Sequence, residues 1–179
     1  LLAAAGGMAK EGFVPFATTY AVFAPRRASD FIHQIIAEEH LNVKICCALP
    51  GLTTGYGPSH QATEDISILR GVPGLTIVDP CDALDIEQAV PAIAAHEGPV
   101  YMRLLRGQVP LVLDEYDYQF ELGKGKLIRD GRDVLVMSSG LMTMRALEAA
   151  KKLAGDSVDV AVLHLPTIKP LDEEIILQI

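Results

Sequence analysis

Short apolar runs that alternate with amphipathic segments constrain the fold of this chain more than any other feature. The runs that have the continuous apolar character of strands buried on both faces are 13–18, 43–49, 75–78 and 99–104. The segments between them that have helical spacing are 1–10, 28–40, 62–70 and 82–95. Buried strands that alternate with helices form a parallel sheet covered on both faces. The sequence therefore predicts a three-layer α/β domain.

The pattern changes after this domain and then resumes. Acidic and aromatic residues, followed by a stretch with two glycines and two lysines, predict a linker over residues 114–132. Beyond it, the apolar runs 134–137 and 158–163 flank a helical segment, 142–153, which predicts the start of another α/β domain. We therefore expect a first domain over residues 1–113 and an incomplete second domain over residues 133–179.

Bulk composition excludes several classes of function. The formal net charge of -8 and the pI near 5.0 disfavour a nucleic-acid partner. The cysteines have the spacing of neither a disulfide framework nor a metal site, which fits a reducing, cytoplasmic setting. No apolar stretch reaches the roughly 18 residues of a membrane span. Both ends of the chain fall inside helix-like patterns, so we expect a fragment of something longer.

Polar and aromatic side chains follow the first two predicted strands. His60 lies in a glycine-rich loop, 51–61, after the second strand, and Tyr20 and Phe23 follow the first strand. Because ligands bind at the carboxyl ends of the strands in open α/β sheets, these side chains are candidates for one crevice. Each has an ordinary structural alternative: the rings as core residues and the imidazole as a hydrogen-bonding partner of a loop carbonyl.

Arginines occur near the ends of the first and the last predicted strands of this domain. Arg26 lies three residues after Phe23, Arg103 lies within the last strand, and Arg106 follows it. A guanidinium at a strand end suits a phosphate or a carboxylate, whereas an isolated surface arginine would predict nothing. The combination of rings, imidazole and guanidinium is what points to a binding site.

Several short motifs together resemble the pyrimidine-binding domain of transketolases. They are Gly57-Pro58-Ser59-His60-Gln61, Glu64-Asp65, Leu69-Arg70, Val72-Pro73 and Asp79-Pro80-Cys81-Asp82. The spacing of Tyr20, Phe23 and Arg26 and the run 101–107 are also similar to that domain. Residues 123–179 resemble the beginning of the carboxy-terminal domain of the same family, so the resemblance covers nearly the whole chain.

The resemblance implies an enzyme that transfers a two-carbon ketol unit between sugar phosphates with thiamine diphosphate as cofactor. Phe23, with Tyr20 beside it, would pack on the aminopyrimidine ring of the cofactor. His60 would hydrogen-bond the sugar and assist proton transfer at the reacting carbon. Arg106, together with Arg26, would bind the terminal phosphate of the sugar.

The sequence departs from the family pattern in three ways. The glutamate that protonates the pyrimidine ring lies upstream of the helix over residues 1–9, outside this chain. The motif that holds Mg and the diphosphate is missing, so these groups require a partner domain, in a homodimer or in a heterotetramer with a diphosphate-binding amino-terminal subunit. We therefore expect the chain alone to be inactive and to hold no metal itself. Tyr56 occupies the position at which transketolases usually have an aspartate that hydrogen-bonds a substrate hydroxyl.

Three alternatives to transketolase activity remain open. Arg26, three residues after Phe23, favours a 1-deoxyxylulose-5-phosphate synthase. The loop around His60 disfavours the beta subunit of a 2-oxo-acid dehydrogenase. A non-catalytic assembly or regulatory subunit could have kept the fold without the chemistry.

Overall fold

The computed structural model describes residues 1–179 and divides them into two compact units. The first unit comprises residues 1–78 and 91–108, and the second comprises residues 79–90 and 109–179. The division falls at Pro91, inside a helix that runs over Ala83–Ala95. No helix is long and apolar enough to cross a membrane.

The first unit is built on a parallel sheet. Its elements are α1 (Leu2–Lys10), β1 (Phe16–Tyr20), α2 (Phe23–Arg27), a π-helix (Phe31–Ala37), β2 (Lys44–Ala48), α3 (Asp65–Arg70), β3 (Thr76–Val78), the end of α4 (Ala83–Ala95) and β4 (Val100–Leu104). The strands of this unit lie in the order β1-β2-β4-β3, and all the pairs among them are parallel. The α/β fold predicted from the sequence is therefore confirmed.

The centre of this sheet is the apolar core of the unit. Ile45 and Cys47 on β2, Ile77 on β3, and Tyr101 and Met102 on β4 have no solvent exposure. A strand can be apolar at consecutive positions only when both faces of the sheet are covered, which is the condition that the sequence pattern indicated for 43–49.

Helical structure begins earlier after β1 than the sequence predicted. A helix was expected over 28–40, but α2 already begins at Phe23, and a π-helix follows it over Phe31–Ala37. The wider turn is seen in bonds between residues five apart, such as Leu41 N–H to the Ile36 carbonyl at 2.8 Å. Phe31, the first residue of this π-helix, is 45% exposed.

A glycine lets α1 lie close to the π-helix. A Cβ atom on Gly6 would be 2.9 Å from Cγ2 of Ile35, which is closer than carbon atoms approach in proteins. The small residue at this position of α1 therefore serves close packing.

The second unit contains a smaller mixed sheet. Its elements are the first part of α4, a 3₁₀ turn (Leu113–Glu115), β5 (Lys126–Arg129), β6 (Val134–Ser138), α5 (Leu141–Leu153), a 3₁₀ turn (Ala154–Asp156), β7 (Val160–His164), β8 (Thr167–Lys169) and α6 (Glu173–Gln178). In the sheet β5-β7-β6, β6 is parallel to β7 and β5 is antiparallel to it. Strand β5 lies inside the segment 114–132 for which the sequence predicted a linker.

Part of that segment is also buried. Leu113 has no exposure and Tyr118 is 5% exposed, and both belong to the apolar core of the second unit. The acidic side chains around them hid this role in the sequence, because the residues between Leu113 and Tyr118 are exposed or half-buried. Asp82 fixes the start of the segment, since its Oδ2 accepts hydrogen bonds from the N–H groups of Val112 and Leu113 at 2.8 and 2.9 Å.

Candidate functional site

Three chain segments leave the first sheet at neighbouring positions. Tyr20 pairs with Ala48, and Ala48 pairs with Leu104, so β1, β2 and β4 end side by side. The chain turns sharply after β2, because the buried Leu49 adopts a left-handed conformation with φ of 61°. A non-glycine residue in this conformation at a strand end is typical of functional sites, since other contacts must hold it there.

Aromatic rings from these segments surround His60. The centroid of its ring lies 5.8 Å from Tyr20, 5.4 Å from Phe23 and 5.4 Å from Tyr56. Tyr20 and Phe23 also contact each other, with ring centroids 5.7 Å apart. We call these four side chains the ring cluster. It unites residues that are far apart in the sequence, including both rings singled out there.

The imidazole of His60 has one nitrogen engaged within the loop. Nδ1 lies 2.9 Å from the Ser59 hydroxyl, whereas Nε2 makes no hydrogen bond. The loop itself is braced by a bond from Gln61 Nε2 to the Thr54 carbonyl at 3.1 Å, and by the left-handed Gly57, whose carbonyl accepts from the His60 N–H at 3.0 Å. The arrangement leaves Nε2 available to a ligand as donor or acceptor.

Arg106 reaches the ring cluster through Tyr56. Its Nη1 donates to the Tyr56 hydroxyl at 3.4 Å, and its Cζ lies 5.8 Å from the centroid of that ring. The sequence singled out Arg106 but gave no sign of this contact, because the two residues belong to different loops. The structure therefore places a guanidinium next to the imidazole-bearing loop.

Arg26 has a different environment. Its Nε forms an ion pair with Glu64, whose second oxygen accepts from the Thr63 hydroxyl at 2.9 Å. The hydrogen bond from Arg26 lowers the pKa of Glu64 to about 2, and the same bond raises the pKa of Arg26. Arg26 therefore has a carboxylate partner, whereas Arg106 contacts a phenol. The joint role of the two arginines at one anion stays a prediction.

A cavity of about 280 Å³ opens beside Phe23. Leu2, Thr19 and Phe31 also line it, and the guanidinium of Arg27 lies 4.1 Å from the centroid of the Phe23 ring. The wall is mainly apolar and one of its faces is an aromatic ring. A flat heteroaromatic group fits such a wall, and Phe23 places it next to His60.

A buried polar network joins α3 to β4 next to the candidate site. Asp65, at the start of α3, accepts from the Tyr101 hydroxyl at 2.8 Å and from Arg103 Nε at 2.9 Å. Arg103, a candidate in the sequence, is thus engaged within the fold. Sequence reasoning missed this network and the role of Glu64; Glu64 directly precedes α3 and Asp65 is its first residue.

The fold is that of an α/β protein with a parallel sheet, and the ring cluster lies at the carboxyl ends of its strands. The chain belongs to the transketolase family. The family model "Transketolase, pyrimidine binding domain" matches residues 1–112, and "Transketolase, C-terminal domain" matches residues 123–179.

Similar proteins agree with this assignment. A transketolase family protein of Sinorhizobium fredii is 73% identical over 177 residues, which are 99% of this chain and 51% of the relative. A 6-deoxy-6-sulfo-D-fructose transketolase subunit of Clostridium sp. is 41% identical over 99% of this chain and 55% of the relative. Other relatives are named 1-deoxy-D-xylulose-5-phosphate synthase.

A solved structure is similar over the same extent. "Split gene transketolase, inactive beta4 tetramer" has a TM-score of 0.88 and 39% identity, covering 98% of this chain and 56% of that chain. This chain therefore spans about half the length of the Sinorhizobium fredii protein, the Clostridium subunit and this solved chain.

Proposed function

We propose that the protein takes part in thiamine-diphosphate-dependent transfer of a two-carbon ketol unit between sugar phosphates, and that this chain supplies the pyrimidine side of the site. The observation that carries the proposal is the position of Phe23, which forms a wall of the cavity and lies 5.4 Å from His60. When bound, the cofactor would supply the carbon nucleophile that attacks the sugar carbonyl.

Each residue of the ring cluster has a role in this proposal. Phe23, with Tyr20 against it, packs on the aminopyrimidine ring and orients it. His60 hydrogen-bonds the sugar through Nε2 and moves a proton at the reacting carbonyl oxygen. Arg106 binds the terminal phosphate, so that binding energy remote from the reaction positions the reacting end. Arg26 can be a second contact to the phosphate only if its ion pair with Glu64 breaks and the phosphate takes the place of the Glu64 carboxylate.

The remaining parts of the site come from outside residues 1–179. We propose that a partner domain binds Mg and the diphosphate and that a glutamate upstream of Leu1 completes the pyrimidine contact. The assembly is a homodimer or a heterotetramer with a diphosphate-binding subunit, in the cytoplasm. The description of a split-gene relative as an inactive β4 tetramer supports the expectation that this subunit is inactive alone. For the domains we keep the limits 1–113 and 133–179, with the connection over 114–132.

The assay also includes the donors of two alternative reactions. Relatives named 1-deoxy-D-xylulose-5-phosphate synthase favour pyruvate as donor. The relative that acts as a 6-deoxy-6-sulfo-D-fructose transketolase subunit favours a donor with a sulfonate in place of the phosphate.

The test is a donor panel with the full-length natural protein, thiamine diphosphate and Mg, with and without the diphosphate-binding subunit encoded in the same organism. Transfer from xylulose 5-phosphate to ribose 5-phosphate is the expected result. Product from pyruvate and glyceraldehyde 3-phosphate, or from 6-deoxy-6-sulfo-D-fructose, would replace the proposed donor. No turnover with any donor, together with no binding of thiamine diphosphate, would favour a non-catalytic subunit.

A variant pair examines the cofactor contact itself. Phe23→Leu should weaken thiamine diphosphate binding about tenfold, because an aliphatic side chain cannot offer a flat face to the ring. Phe13→Leu, which changes a phenylalanine that is 60% exposed on the same unit, is the matched control. Equal cofactor affinity in both variants would contradict the assigned contact.

A further inference from the structure

The ion pair between Arg26 and Glu64 joins two segments that carry residues of the ring cluster. We propose that this pair holds the helix that carries Phe23 against the loop that carries His60, and that Arg26 and Glu64 are therefore positioning residues of the site. This inference rests on the proposed function and deepens it, because it gives the two charged residues a role in aligning the cofactor contact with the imidazole.

Arg26 is tied to Phe23 because both belong to α2. The two residues are three apart in this helix, so their side chains occupy neighbouring positions on one face. Ala24 and Pro25, which lie between them, are buried and anchor the helix in the first unit. A contact that fixes the Arg26 guanidinium therefore also fixes the backbone that carries the Phe23 ring.

Glu64 lies at the end of the loop that carries His60 and directly precedes α3. The base of this loop is closed by a hydrogen bond from the Gly51 N–H to the Ala62 carbonyl at 2.7 Å, and Ala62 is only 1% exposed. A polar side chain directly before a helix commonly accepts from the backbone of the first turn, but Glu64 makes no such bond. Its carboxylate is directed at Arg26 instead.

Both partners of the pair are charged and oriented. Arg26 Nε donates to Glu64 Oε1, and the Thr63 hydroxyl donates to Oε2 at 2.9 Å, so each carboxylate oxygen has a donor. The hydrogen bond from Arg26 lowers the pKa of Glu64 to about 2, so the carboxylate is ionised at physiological pH. Charge-assisted hydrogen bonds are shorter and stronger than neutral ones. The pair therefore adds a directed contact to the packing of Phe23 on His60.

The exposure of the pair separates alignment from stability. The two side chains are 42% and 35% exposed, and exposed ion pairs contribute little to folding. Glu64→Gln should therefore leave the urea midpoint of unfolding unchanged but weaken thiamine diphosphate binding about threefold, because an amide forms no ion pair with Arg26. The double variant that combines Arg26→Glu with Glu64→Arg restores opposite charges and should recover most of the affinity.

The test is calorimetric titration of thiamine diphosphate and ribose 5-phosphate into the full-length natural protein in its assembled form. Glu39→Gln is the matched control, because it breaks an ion pair with Lys10 whose side chains are similarly exposed, at 49% and 47%. Weaker cofactor binding in Glu64→Gln but not in Glu39→Gln, with recovery in the double variant, is the expected result.

Two results of the titrations would overturn the inference. One is a cofactor affinity of Glu64→Gln equal to that of the control, or a loss that the double variant does not recover. The other is tighter binding of ribose 5-phosphate by Glu64→Gln at unchanged cofactor affinity. That result would make Arg26 a phosphate contact that Glu64 withholds from the substrate.

A spectroscopic measurement without cofactor separates this inference from the proposed function. The His60 imidazole lies among three rings, so its proton resonance depends on their positions through ring currents. In protein isotopically labelled at histidine, Glu64→Gln should shift the His60 signal, identified by its loss in His60→Ala, and the double variant should return it toward wild type. An unmoved signal would refute the positioning role. Wild-type protein that binds no thiamine diphosphate but shows these shifts would sink the proposed cofactor and leave the positioning role in place.

Discussion

The Tyr101 hydroxyl donates to the Asp65 carboxylate at 2.8 Å, and neither side chain has more than 2% exposure. This contact joins the middle of β4 to the first residue of α3. The same carboxylate accepts from Arg103 Nε at 2.9 Å. Because β4 leads to Arg106 and α3 follows the loop that carries His60, Asp65 fixes the two segments relative to each other beneath the candidate site.

Removing the Asp65 carboxylate should therefore be costly. For Asp65→Asn we expect a loss of about 2–4 kcal/mol in the free energy of unfolding, because an amide cannot replace the charge that pairs with Arg103. Tyr101→Phe should cost only about 1 kcal/mol, because it leaves Asp65 with its arginine. Urea unfolding followed by circular dichroism measures both. Asp30→Asn, at an exposed position, is the control; a loss for Asp65→Asn no larger than for this control would contradict the prediction.

Replacing His60 should affect catalysis much more than stability. Its side chain is partly exposed and its one side-chain hydrogen bond is to the neighbouring Ser59, so His60→Ala should change the free energy of unfolding by less than about 1 kcal/mol. Loss of a group that transfers a proton should lower kcat by about a hundredfold or more. His33→Ala removes an exposed histidine of the same unit and controls for nonspecific effects. Unchanged kcat in His60→Ala would refute the assigned role.

Much of the first unit was predictable because its strands are buried on both faces. The continuous apolar runs 43–49 and 99–104 predicted β2 and β4. Because parallel strands end at one edge of a sheet, the sequence also predicted that Tyr20, Phe23 and His60 lie near one another. The contacts of the charged residues were not predictable. The partner of Arg26 is Glu64 and the partner of Arg106 is Tyr56, and both are distant in sequence, so local composition could not reveal them.

Two features of the backbone were also beyond the sequence pattern. The π-helix over Phe31–Ala37 keeps Ile32 and Ile36 buried, as an α-helix would, so the apolar spacing does not distinguish the two. Strand β5 pairs antiparallel with β7 next to glycines and lysines that are typical of a linker. For β5, pairing with β7 overrides the local preference.

The second unit depends on a fully buried Asp85. Its oxygens accept from the Tyr118 hydroxyl at 2.7 Å and the Cys81 N–H at 2.7 Å, and His164 Nε2 lies 3.0 Å away. For Asp85→Asn we expect the free energy of unfolding to fall by about 3 kcal/mol, because a buried amide cannot satisfy all of these donors. Chemical denaturation measures the loss. Asp117→Asn is the exposed control, and indistinguishable unfolding curves for the two variants would contradict the role of Asp85.

The buried Lys44 should make stability depend on pH. Its ammonium has no exposure and donates to the carbonyls of His96 and Gly98 at 2.7 and 2.8 Å. Burial lowers the pKa of Lys44 from 10.5 to about 8. Because the folded-state pKa lies below the unfolded one, the unfolded chain binds more protons between about pH 8 and 10.5. The contribution of Lys44 to the free energy of unfolding must therefore rise with pH across this window.

The comparison of wild type with Lys44→Met isolates that contribution. The raised pKa values of the buried thiols of Cys46 and Cys47 are common to both proteins and so largely cancel in the difference. The stability of wild type relative to Lys44→Met should increase from pH 8 to 10.5 by on the order of 2–3 kcal/mol, at about 1.4 kcal/mol per pKa unit. Urea unfolding at intervals of pH measures it, with Lys152→Met, at an exposed position, as control for the loss of a charge. Parallel curves for wild type and Lys44→Met would mean that Lys44 titrates alike in the folded and unfolded states.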